Sequence, residues 1–112
     1  MAEKDYARAE PLYRDAIRRY SEALSPDNLN VGIARIKLGR TLLRQKRYSE
    51  GEVETLAGYN ILIKQSNPAT SFVHAARMDL AADYDGLQMP DKAAKFHAEL
   101  AEEQKTTQTA KK

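Results

Sequence analysis

Six cations and no acid lie between Val31 and Ser49: Arg35, Lys37, Arg40, Arg44, Lys46 and Arg47. A planar guanidinium binds a carboxylate through two parallel hydrogen bonds, so Arg40 and Arg44, one helical turn apart, suit an acidic partner segment. Downstream, Asp79, Asp83 and Asp85 offer these arginines an internal alternative, with Arg40 or Arg44 paired to Asp79 or Asp83. Exposed pairs contribute only about 0–1 kcal/mol each, so stability alone does not account for the cluster. Other chemistry finds few residues to use. The chain has no cysteine, which excludes disulfides, thiol catalysis and thiolate metal ligation. His74 and His97 are isolated from each other and from any ligand cluster. No Gly-rich phosphate loop and no nucleophile beside a base is present. The reading is therefore of a protein that is not an enzyme and needs no metal or cofactor.

The elements that position these residues belong to one soluble domain. The 112 residues are 42% hydrophobic and 30% charged, ordinary for a globular protein and long enough to bury a core. A net charge of +2 is too small to argue nucleic-acid binding. Aromatic residues are not interleaved with the cations either, and the acidic stretch would repel phosphate. The first ten residues, MAEKDYARAE, are too charged for a secretory leader, and no apolar run approaches membrane-spanning length. For these residues the expectation is a cytoplasmic location without membrane contact.

Helical spacing runs throughout. Val31, Ala34, Leu38 and Leu42 stack on one side of a helix, and Ile33, Ile36 and Leu43 on the other. A surface helix needs one apolar stripe, so two stripes mean packing on both sides, or packing on one and a binding face on the other, and the second is the working expectation. Tyr6 to Leu24 reads as a first helix, beginning near Arg8 so that Pro11 falls close to its first turn. Ser25-Pro26-Asp27-Asn28 stops it, and Asn28 or Asn30 caps the next. Ser49 is the expected cap of a third helix reaching about Gln65, with Gly51 and Gly58 tolerated for close packing. Ser66-Asn67-Pro68 turns into a fourth helix from Thr70 or Ser71, and Pro90 starts a fifth.

Pro26 and Pro68 are 42 residues apart, and the same offset pairs Val31 with Val73, Ala34 with Ala76, Arg35 with Arg77 and Leu38 with Leu80. Ala9, Gly51 and Ala93 align as small residues. Such a period marks a stacked helix-hairpin solenoid. The predicted fold is all-α: an antiparallel helix-hairpin solenoid of five helices forming an α-α superhelix. It comprises a half repeat over 5–24, repeats over 29–65 and 70–104, and a disordered polar tail over 105–112. The first helix, lacking a hairpin partner, predicts either a longer array or self-association through that end.

The run Leu38-Gly39…Leu42…Arg47-Tyr48-Ser49-Glu50-Gly51-Glu52 resembles the tetratricopeptide repeat, and the long period is similar to its kinesin-light-chain-type variant. Ala76 to Leu100 also resembles the last repeat of arrays attached to bacterial signalling kinases. Departures stand out. Arg35 and Arg77 replace a large apolar residue, and Lys46 and Gln88 replace the Gly that usually ends the first helix, which predicts strained or remodelled caps. The resemblance implies a non-catalytic protein-binding module whose concave face is lined by first helices. On this chain the peptide-binding positions are Ile33, Ile36, Arg40, Leu43, Arg44 and Met78, and the partner is a protein or an acidic peptide. The alternative is a capping or spacing segment of a larger regulatory protein such as a bacterial signalling kinase, its charges satisfied internally.

Overall fold

The computed structural model describes residues 3–66 and 69–110. Five helices occupy them, α1 (Glu3–Ala23), α2 (Leu29–Arg44), α3 (Tyr48–Ile63), α4 (Thr70–Gly86) and α5 (Pro90–Ala110), and no strand occurs among the described residues. The fold is the all-α hairpin solenoid that the 42-residue period predicts.

Local chemistry explains most boundaries. Asn28 caps α2, its side chain accepting from the Asn30 amide at 2.8 Å. α2 and α4 end alike, one period apart. Lys46 and Gln88 adopt left-handed backbone angles, φ 61° and 59°. The Lys46 and Arg47 amides close onto the carbonyls of Leu43 and Leu42, as those of Gln88 and Met89 close onto Asp85 and Tyr84. Here the glycine usual in such a cap is replaced, and the side chain bears the strain.

Two boundaries differ from expectation. α3 starts at Tyr48, with Arg47 rather than Ser49 at the cap position and no side-chain cap bond. The sharp turn at Lys46 brings the chain into helical register at once, and the Gly51 amide already bonds the Arg47 carbonyl at 2.9 Å. α1 runs straight through Pro11 from Glu3 instead of beginning near Arg8. Pro11 is exposed and inside the helix, where it forgoes the bond to the Ala7 carbonyl and crowds that carbonyl with its ring, a local cost that the rest of α1 absorbs. α5 continues to Ala110, in place of the frayed tail expected from 105. Residues 111–112 of that tail, and Asn67–Pro68 of the expected turn, lie outside the described residues.

Glycines set the seam between α2 and α3. A Cβ on Gly58 would come within 2.6 Å of the Gly32 carbonyl oxygen and 2.7 Å of Ile36 Cγ1; one on Gly39 would overlap Thr55 Oγ1. Gly32 lies against Leu62 in the same antiparallel register. Two cores flank this seam. Val31, Ala34, Leu38 and Leu42 of α2 pack with Ile17 and Tyr13 of α1. Ile36, Tyr59, Leu62, Val73, Ala76, Leu80, Tyr84, Ala93 and Phe96 join α2 through α5. Phe96 stacks on Tyr84 at 5.9 Å and meets Tyr59 edge-on at 5.6 Å.

Each helix packs on its neighbour in sequence, and the backbones of α2 and α4 also come together, whereas α3 meets α5 only through side chains such as Tyr59 against Phe96 and Glu99, and α1 meets α3 through the side chains of Arg14 and Glu50. Successive repeats therefore bring their backbones closest along the α2/α4 edge. With a radius of gyration of 14.5 Å, the molecule is more extended than a compact domain of this size, about 13 Å.

Candidate functional site

The face shared by α2 and α4 is built around one ion pair. Arg40 donates from Nε to Asp79 Oδ2 at 3.0 Å and from Nη2 to Oδ1 at 3.2 Å. Asp79 is buried, 4% exposed, while the Arg40 side chain stays 43% exposed. Burial raises the Asp79 carboxyl above its usual range, and Arg40 and then Arg44 work against that rise. Arg44 is exposed on the same side, close enough to act on Asp79 but in no ion pair among the described residues.

The six sequence-derived positions part company here. Arg40, Arg44 and Met78, the last 50% exposed, reach solvent. Leu43 is half-buried beside the α2/α3 seam. Ile36 is 2% exposed and packs on Gly58, so it holds the hairpin together and presents nothing to a ligand. Ile33 is half-buried and lines a different groove, between α1 and α2, with Tyr13, Ala16, Tyr20, Asn30, Ala34 and Lys37. Alternation along α2 could not separate these, because a helix seated between two others buries part of each stripe.

Asp83 takes neither of the arginines that the sequence offered it, and the acids that order Arg77 went unread in the sequence. Asp83, on the inner side of α4, is fully buried with neither carboxylate oxygen bonded, and a Cβ on Gly51 would lie 3.1 Å from Oδ1. Burial, then the charges of Asp79 and Glu52, push its carboxyl up to about 8. The signal was available: its counterpart one period earlier is Thr41, also buried. Arg77 is ordered by Glu99 at 3.0 Å and by Glu103, and lies 5.7 Å from the Tyr59 ring centroid. Its counterpart Arg35 pairs with Glu54 at 2.8 Å. The two departures from the usual apolar residue are thus each matched by acids on the following helix. Glu103 also takes His74 Nδ1 at 2.7 Å. No group of three or more metal-ligating side chains converges among the described residues, and no described helix is long and apolar enough to cross a membrane.

The family model for the tetratricopeptide repeat matches residues 1–50, which supports a tetratricopeptide repeat there, and the same helix-hairpin architecture continues through α5. Repeats of this family generally mediate protein–protein contacts and are typically non-catalytic. The match supports the repeat itself; the kinesin-light-chain-type variant and the kinase-linked arrays draw no support from it. No curated protein and no solved structure matches the chain.

Proposed function

We propose that this chain is a non-catalytic protein-binding module of the cytoplasm that takes an acidic segment of a partner on its α2/α4 face. The observation behind this reading is the exposed Arg44 beside an Arg40 already fixed by Asp79, with Met78 in water on the neighbouring helix. A guanidinium held in place loses little freedom on binding, and an adjacent thioether adapts to varied apolar contacts. Arg44→Glu tests it against a peptide library enriched in Asp and Glu. Capture falls at least about tenfold, while stability stays within about 0.5 kcal/mol, as for other surface changes. Arg40→Ala is a poor probe alone, because it strands Asp79; it belongs with Asp79→Ala as a paired control. Undiminished capture by Arg44→Glu rules the reading out.

The Arg40–Asp79 pair also favours a second reading, a capping or spacing segment of a larger regulatory protein with its charges satisfied internally. Under that reading no acidic peptide is captured by the native chain.

A further inference from the structure

The groove between α1 and α2 repeats, one period earlier, the seat in which α2 lies between α3 and α4. Its α1 wall is Tyr13, Ala16 and Tyr20. The counterparts on α3 are Thr55, Gly58 and Leu62, the residues that face Gly39, Ile36 and Gly32 of α2. Its α2 wall includes Ala34 and Lys37, whose counterparts on α4 are Ala76 and Asp79, and Asp79 receives Arg40 of α2. The groove is open and encloses about 220 Å³, below the about 300–1,000 Å³ of small-molecule pockets. Further apolar surface is exposed at this end in Leu12 of α1, 71% exposed, and in Leu24 just past its last residue, 51% exposed. Its dimensions and lining suit side chains projecting from a helix.

The α1 wall is bulkier than its α3 counterpart, with Tyr13, Ala16 and Tyr20 for Thr55, Gly58 and Leu62, and the two seats also differ at both positions that meet an arginine of α2, which selects the occupant. Where α4 presents Asp79 to Arg40, α2 presents Lys37. Where α3 presents Glu54 to Arg35, α1 presents Leu12. A second copy of α2 would therefore set Arg40 against Lys37 and Arg35 against a leucine, a mismatch in both places. We propose that the α1/α2 groove docks an amphipathic helix of a partner polypeptide, antiparallel to α1, with an acid facing Lys37 and an apolar residue facing Leu12. This surface is distinct from the α2/α4 face, and the assignment stands without it.

Two synthetic peptides test it, one copying Leu29–Arg44 and one carrying Arg35→Leu and Arg40→Glu in that sequence. Each is titrated by fluorescence anisotropy into the full chain and into its Lys37→Glu variant, whose fold is checked by circular dichroism; Lys37 is exposed, so the variant folds. The substituted peptide binds the native chain at least about tenfold more tightly than the copy, and Lys37→Glu reverses the order. Binding of neither peptide, or a preference indifferent to Lys37, overturns the assignment. Sedimentation showing a dimer that the substituted peptide fails to dissociate overturns it too, since a second copy then holds the groove.

Discussion

At the α1 end Leu12, Tyr20 and Leu24 stand in water, 71%, 41% and 51% exposed. At the α5 end no large apolar side chain of α5 is exposed among the described residues, and Lys92, Lys95, His97 and Glu102 take the outer positions. α5 spends its apolar residues on one stripe, with Ala93 and Phe96 packed inward. α1 carries apolar residues on both sides and has a neighbour on only one. Exposed apolar area costs roughly 25 cal/mol per Å², so a helix of the α1 kind is suited to an interior place in a stack and α5 to an outer one. The contrast teaches that the repeat is a unit of packing, with each end defined by which stripes are left without a neighbour.

The sharpest way to break this contrast is to cut into each half of the core. Leu80, fully buried between α2, α3 and α5, costs about 3–5 kcal/mol on replacement by Ala; Ile17, 9% exposed on the side of α1 that meets α2, costs about 2 kcal/mol. Urea midpoints at constant slope measure both, and equal losses would mean that α1 is as well seated as the centre. Hydrogen exchange gives the same order, with α1 opening at lower free energy than α4.

Next in size is a pH effect lodged on the closed side. Asp83 holds its proton in the folded state up to about pH 8, whereas an unfolded aspartate releases it near 3.9. Folding therefore takes up a proton between these values, and this group's contribution to stability falls as pH rises from about 4 to 8. Asp83→Asn removes that slope and is more stable than the native chain by about 2 kcal/mol at pH 8. Glu10 at the α1 end acts in the opposite sense: Arg47 holds its carboxyl below the usual range, so its contribution is lost only as pH falls through that range. Melting curves at pH 3, 5 and 8 separate the two, Asp83 acting between pH 5 and 8 and Glu10 only below pH 5.

The smallest expected change is at the caps. Lys46→Gly and Gln88→Gly relieve a left-handed backbone angle and each stabilises by about 1 kcal/mol. The gain is alike at both positions because their hydrogen bonds are alike; unequal gains in thermal unfolding would show that the two hairpins are not equivalent.

The caps were legible in the order of residues alone, since Lys46 and Gln88 stand where a glycine is wanted, and both adopt positive φ. The helices and the period were legible for a similar reason: Leu38 and Leu80 recur with their neighbours, and burial at 1% and 0% follows from the shared register. The face of α2 was not. Ile33, Ile36 and Leu43 look equivalent in one dimension, but Gly58 on α3 draws Ile36 into the seam, while Ile33 packs on the edge of the central core and lines the groove beside α1. A single helical wheel cannot show which of two neighbours comes closer. Pro11 misled because its cost is local, whereas the continuity of α1 is set by the tertiary contacts of Tyr13 and Ile17 with α2.

Arg47 fixes the early part of α1 through Glu10 while also holding Glu50, whereas the later part rests on Ile17 and Tyr13 against α2. Charge attraction is screened over about 8 Å in physiological salt, whereas apolar contact strengthens as salts are excluded from the surface. Raising the sulfate concentration thus loosens one end of this helix and tightens the other, so that a single rod answers to its solvent in two opposite senses.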